Sequence, residues 1–273
     1  MKSTIAALTH KGGVGKTTIN RATIEVTRHH LAGSGDYRVV AMDGDGDNGQ
    51  LVSFLGTRDA EGDLLPDQNP SVGIGYFDAR SSRQRGLLLD MAEREEELLV
   101  FDLPGGALTD MAELNESLNG RDLVDAHRAC GRRFVVVLAI TPLLASISSV
   151  LPALNVFGPD ANYLVVKNLA AGKEEDFVLW QDGIRNRHGH HIGGRARAAL
   201  EQANGRVIEL PALCAGIYAR IDALGLTFTE ALSSPLLTLS QRLSCRRWLH
   251  AWTGQIDTIA DWLALPADYR WTI

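Results

Sequence analysis

Short apolar runs alternate along the chain with segments in which apolar residues recur every three or four positions. Ile5-Ala6-Ala7-Leu8, Tyr37 to Met42, Val72 to Phe77, Leu98-Leu99-Val100-Phe101, Phe134 to Ile140, Asn162 to Val166 and Arg206 to Leu210 have the length of buried strands. Between them, Thr17 to Leu31 has helical period, with Ile19, Ala22 and Val26 on one face and Gly33 and Gly35 to stop it. Further helices are predicted for Gln84 to Glu97, for Ala107 to Ala129 with a break near Asn119-Gly120, and from Thr141-Pro142 through Val156. Leu213 to Leu224, Thr227 to Leu232 and a C-terminal stretch with Ile256, Ile259, Ala260 and Leu263 on one face complete the helical set. Residues 56 to 70, rich in Gly, Asp and Pro, form a loop. Strands alternating with helices predict an α/β fold with a doubly wound, largely parallel sheet.

Length and composition agree with that pattern. A chain of 273 residues suffices for one large domain spanning 1–273, with helices of about 212–265 packed on it. Hydrophobic residues make up 45% and aromatics only 6%, as suits an aliphatic core of parallel strands. The net charge of −6 argues against coating nucleic acid by bulk charge, though not against a local basic patch. Cys130, Cys214 and Cys245 match no metal spacing and read as reduced thiols, so a cytoplasmic location is expected. No run approaches the roughly 18 apolar residues of a membrane span, and no signal peptide is expected.

The candidate chemistry begins at Thr9-His10-Lys11-Gly12-Gly13-Val14-Gly15-Lys16-Thr17-Thr18. A strand feeding a glycine-rich turn into a helix start brings backbone N–H groups and partial positive charge onto a phosphate. Lys16 neutralises the terminal phosphates, and Thr17 is placed to give its hydroxyl to Mg²⁺. The common loop pattern has glycine where His10 stands; the fit is to a lysine-first variant, Lys-Gly-Gly-x-Gly-Lys-Thr. Such a string arises by chance in roughly one chain of this length in ten thousand. Gly12 to Thr18 are therefore assigned to nucleotide binding. Leu98 to Asp102, followed by Leu103-Pro104-Gly105-Gly106, is a buried strand delivering one carboxylate toward magnesium, beside a turn free to move. Asp43-Gly44-Asp45-Gly46-Asp47-Asn48 invites a calcium reading, but the twelfth position is Phe54 rather than glutamate and the cluster follows a strand.

At these residues the chain resembles the deviant Walker-A ATPases, the ParA/MinD group of P-loop NTPases. The resemblance implies that Lys11 reaches across a nucleotide-bridged homodimer to the partner's phosphates. It matches Asp43 and Asp45 to the family's Asp-x-Asp, with Asp43 assigned to magnesium and Asp45 near the attacking water. It implies ATP and Mg²⁺ as ligands and slow, partner-stimulated ATP hydrolysis. Gly105 stands where relatives commonly carry a second proline, and Asp47 and Asn48 where many have glutamine and glycine. Asn168 matches an asparagine that contacts adenine in relatives, although a turn asparagine fits the position as well. MinD proteins end in a basic amphipathic anchor, whereas Asp257 and Asp261 here would be repelled by anionic lipid, so no membrane partner is expected.

The second half is locally basic. From Ile184 to His250 nine arginines face four acids, a balance of +5. Arg185, Arg187, Arg195, Arg197, Arg242, Arg246 and Arg247 are candidates for non-specific contacts to DNA phosphates, or are ordinary helix-surface arginines. His188, His190 and His191 invite zinc, but no carboxylate or cysteine is spaced to complete a site. The expected function is a dimerising ATPase of DNA, in particular plasmid, partition or maintenance, with an adaptor or DNA-binding partner and nucleoid association. A conjugation-associated or protein-positioning ATPase is the alternative. An iron–sulfur relative would need paired cysteines near Asp102, and none lie between Asp102 and Ala129.

Overall fold

The computed structural model describes residues 1–33, 37–46, 49–113 and 118–273. Strand β1 (Lys2–Thr9) is buried from Ser3 to Thr9 and passes through the glycine loop into α1 (Lys16–His29). Then come β2 (Leu31–Ala32), the fully buried β3 (Val39–Asp43), α2 (Gln50–Leu55) and β4 (Gly75–Tyr76). Two single-turn helices, α3 (Ser82–Arg85) and α4 (Leu87–Asp90), precede β5 (Leu98–Gly105) and α5 (Ala107–Asp110). Helix α6 (Gly120–Ala129) leads to β6 (Arg132–Ile140), and α7 (Leu144–Ile147) and α8 (Val150–Phe157) to β7 (Asn162–Asn168). After α9 (Val178–Gln181), a hairpin of β8 (Ile184–Arg185) and β9 (His191–Ile192) runs into α10 (Arg195–Gln202) and β10 (Arg206–Leu210). The C-terminal part holds α11 (Ala215–Ala223), α12 (Phe228–Ala231), α13 (Leu239–Asp257) and β11 (Arg270–Trp271).

Seven strands form one sheet in the order β10-β7-β6-β1-β5-β3-β4, with every neighbouring pair parallel. Successive side chains of a strand point to opposite faces. Thus Ile5 and Ala7 pack with α1, α2 and α11 to α13, whereas Ala6 and Leu8 pack with α4, α6 and α8 to α10. Covering both faces is what lets these strands be apolar at every position. From β1 the chain reaches β5 on one side and β6 on the other, and the carboxyl ends of these strands open a crevice.

Several predicted elements change in detail. The strand expected over 72–77 shrinks to β4, paired only with Met42 and Asp43. The helix expected over 84–97 breaks into α3, α4 and a 3₁₀ turn at Met91–Glu93. Its acidic run is not a solvated helix face, because Lys2, Arg38 and Arg94 claim it: Glu95 pairs with Lys2, Glu96 with Arg94 and Glu97 with Arg38. The break near residue 119 is a helix start: Asn119 Oδ1 accepts from the Arg121 amide at 2.8 Å while Asp122 accepts from the Asn119 amide. Ile256, Ile259 and Leu263 are core residues, as the periodicity predicts. A pairing of β11 with β2 was not predicted. Among the described residues, no helix is long and apolar enough to cross a membrane.

Candidate functional site

The glycine loop wraps the carboxyl end of β1 and hands over to α1, whose first N–H groups have no partner within the helix. Gly15 has φ +102°, and a Cβ there would lie 2.6 Å from Asn168 Nδ2, so both backbone and space demand glycine. The Asn168 amide donates to the Val14 carbonyl at 3.0 Å and its Oδ1 accepts from the Ala170 amide. Asn168 thus braces the loop and also lines the cleft beside it. Lys16 is buried, with Nζ 3.5 Å from Thr9 Oγ1. Burial pulls its pKa down, and Asp102 and Asp45 oppose that shift.

Two carboxylates meet at the strand ends. Asp43 and Asp102 are register partners on β3 and β5. Thr17 donates its hydroxyl to Asp102 Oδ2 at 2.6 Å, and Asn20 Nδ2 holds Oδ1 at 3.1 Å. Asp43 turns inward and accepts the amides of Asp45, Leu51 and Val52, the last two from the first turn of α2. Burial raises both carboxyl pKa values; that of Asp102 reaches about 7, with nearby Asp43 adding to the rise and Thr17, Lys16 and Asn20 resisting it. A hydroxyl and a carboxylate in direct contact, with a second carboxylate on the adjacent strand, are hard oxygen donors of the kind Mg²⁺ takes. A cation there would also relieve the cost of two neighbouring buried carboxylates, so the residues fit the metal.

The cleft has a volume of about 730 Å³. One end is the phosphate loop with Asp43, Asp45 and Asp102; the other is walled by Asn168, Leu210 to Leu213, Tyr218 and Trp248. Thr18 Oγ1 lies 3.1 Å from Tyr218 Oη, and Trp248 Nε1 donates to the Pro211 carbonyl at 2.7 Å, tying α1, α11 and α13 around this end. Gly105 closes the β5 side, where a Cβ would lie 3.1 Å from the Gly12 nitrogen. A lysine-bearing glycine loop beside carboxylates that can take a cation, and an apolar, aromatic far end, suit a phosphorylated ligand with a planar base.

No protein-family model matches the chain, and no curated protein sequence matches it. Solved structures do. The ATP complex of a single-residue variant of Cyanothece McdA aligns over 95% of this chain and 96% of its own, with a TM-score of 0.51 and 11% identity. The fold is that of the ParA/MinD-type P-loop ATPases. The septum site-determining protein MinD of Pyrococcus horikoshii OT3, complexed with Mg-ADP, aligns over 95% of this chain and 98% of its own (TM-score 0.49, 14% identity).

On this ParA/MinD-type frame the predicted residues separate. Gly12, Gly13, Gly15, Lys16, Thr17, Thr18, Asp43, Asp45, Asp102 and Asn168 all line one cleft, while Val14 is buried behind the loop. Lys11 is exposed at the loop's entrance. Asp47 and Asn48 lie outside the described residues. The arginines do not form the single patch that their spacing suggested. Ala196 and Leu200 bury α10 on one sheet face, whereas Cys245, Trp248 and Leu249 bury α13 on the other. Arg195 and Arg197 are therefore separated by the sheet from Arg242, Arg246 and Arg247, and Arg185 and Arg187 sit on the hairpin that precedes α10. Arg242 donates to the Ser234 and Leu237 carbonyls and Arg197 pairs with Glu201, so both guanidinium groups already have partners within the chain. Among the described residues no group of three or more His, Cys, Asp or Glu side chains is gathered for a metal, the histidines near 188–191 included.

Four participants escaped the sequence reading. Asn20 lies three residues after Thr17, a helical spacing that could have flagged it as facing the same carboxylate. Tyr218 and Trp248 come from distant helices and carried no local signal. Arg80, whose Nη1 donates to Asp45 Oδ1 at 2.5 Å, reaches its partner across a loop.

Proposed function

We propose that the protein is an ATPase that binds ATP with Mg²⁺ in this cleft and changes its association state with the nucleotide. The carrying observation is the 2.6 Å contact of Thr17 with Asp102 beside a lysine-bearing phosphate loop. Backbone amides of the loop and Lys16 hold the phosphate chain, and Thr17, Asp102 and Asp43 would hold the metal. When bound, magnesium offsets charge on the phosphate oxygens. Asp45, at the cleft's phosphate end, accepts a hydrogen bond from the attacking water and so orients it. The base lies between Asn168 and the wall of Leu210 to Leu213, Tyr218 and Trp248. Lys11 serves the nucleotide of a second copy, because Lys16 already serves its own.

Within this chemistry we favour DNA partition or maintenance, with an adaptor or DNA-binding partner stimulating hydrolysis. The division of the arginines between two sheet faces favours a second reading, a positioning ATPase with protein cargo. The shared chemistry is tested first. Calorimetric titration with Mg-ATP should show one site per chain in the wild type and none in a folded Lys16→Ala variant. Equal affinity in the two would refute the assignment.

A further inference from the structure

Asp45 sits on a segment stitched to its neighbour by three backbone bonds. Phe77 N–H donates to the Asp43 carbonyl, Gly46 N–H to the Phe77 carbonyl and Ala79 N–H to the Gly44 carbonyl, at 2.9 to 3.0 Å. That fixes the backbone of residues 43–46 but leaves the Asp45 side chain, about 40% exposed, free to turn. Arg80 removes this freedom by donating from Nη1 to Oδ1. Arg80 is itself held: its amide donates to Asp78 Oδ1 at 2.9 Å and its carbonyl accepts from Arg85 Nη2 at 3.1 Å. Arg85, 8% exposed, also donates from Nη1 to the carbonyls of Asp110 and Glu113, beyond the turn that follows β5. A bonded chain therefore runs from the carboxylate at the phosphate end to the segment leaving Asp102's strand. Such an exposed ion pair contributes little to stability. Its consequence is orientation.

We propose that Arg80 is a positioning residue for ATP hydrolysis, holding one oxygen of Asp45 so that the other meets the attacking water. The inference rests on the ATPase reading above. A water-orienting carboxylate needs one free lone pair at the right place, and a small misplacement of such a group costs up to about 10²-fold in rate. Arg80 does not line the cleft itself, so it should influence turnover without altering nucleotide binding.

The test uses the full chain with Mg-ATP. Arg80→Ala should keep the wild-type Kd and KM while kcat falls about 10- to 100-fold. Arg80→Lys should recover part of the loss, since a lysine can still reach the carboxylate as a point charge. In an Asp45→Ala background, Arg80→Ala should slow the reaction no further, because the group it positions is gone. Wild-type or faster turnover in Arg80→Ala, or an equal further fall in the Asp45→Ala background, would overturn the inference and leave the ATPase reading standing. A wild-type rate in Asp45→Ala overturns it too, by removing the role that Arg80 supports. Absence of ATP binding in the wild type defeats both.

Discussion

At the scale of single residues, His127 shows how the fold fixes a protonation state. It is fully buried on α6, with Nε2 3.0 Å from the Leu88 carbonyl and Nδ1 3.0 Å from Thr4 Oγ1. A carbonyl can only accept, so Nε2 carries a proton; in the neutral ring that burial favours, Nδ1 then accepts from the threonine. Burial is the main force lowering its pKa to about 4, against a usual 6.5. Between those values the unfolded chain binds a proton that the folded chain refuses, so stability falls as pH falls through this window. The histidine alone should remove about 2 kcal/mol between pH 7 and pH 4.5. Urea unfolding of His127→Gln at the two pH values should show a smaller loss than the wild type by about that amount. At this same scale, the meeting of Lys16, Thr17 and Asp102 in one cleft was legible because each stands at a strand end or helix start. Arg80 and Tyr218 were not, since their partners are 35 and 200 positions away.

At the scale of elements, α1 was legible in extent and inner face, but not in what covers its outer side. Residues Ile19 to Thr27 are all buried, because α2, α12 and α13 close over the helix. Its polar residues are consequently committed inside. Arg21 pairs with Glu25 at 3.1 Å, lies 4.1 Å from the ring centres of both Phe54 and Phe228, and donates to the Leu226 carbonyl. Glu25 also accepts from the Thr229 amide at 2.8 Å, and burial lifts its pKa while Arg21 pulls it down. Removing one partner strands the other charge. Arg21→Ala should cost about 3–5 kcal/mol in urea unfolding, whereas Arg21→Met with Glu25→Leu should recover most of it. A double variant as unstable as the single would mean that the bonds to Leu226 and Thr229, rather than the charge pair, hold α12 to α1. The broken helix of 84–97 has the same lesson on the other face of the sheet. Its acids face Lys2, Arg38 and Arg94, and no local propensity anticipates such partners.

For the whole molecule, the parallel sheet and its doubly wound order were legible, since a fully apolar strand needs cover on both faces. The distribution of charge was not, because a linear count cannot tell which face a helix turns outward. This matters for assembly. The exposed Lys11 side chain makes no ion pair among the described residues, which suits a charge reserved for a second copy. Lys11→Ala should bind Mg-ATP about as well as the wild type yet stay monomeric in light scattering with ATP. If ATP switches on DNA binding by pairing weak surfaces, the same variant should lose duplex retention at low salt. A Lys11→Ala dimer would place the lysine's role within its own chain.

The place of β1 in the sheet has a further consequence, in time. It is made before both β5 and β6, between which it lies and whose last residues are Gly105 and Ile140. At about 5–20 residues per second, a ribosome needs roughly 5 to 19 s to go from Thr9 to Gly105 and roughly 7 to 26 s to go from Thr9 to Ile140. Until Gly105 is made, Ile5 to Leu8 is a two-sided apolar strand with no neighbour on either edge, and until Ile140 one edge stays open, the sort of segment that chaperones bind and that aggregates when they do not. The loop after it cannot take its final form until β7 supplies Asn168, and its far wall waits for Leu210 and beyond. The phosphate loop is thus translated before most of the residues that complete it, so a chain cut short before them carries the motif without the cleft.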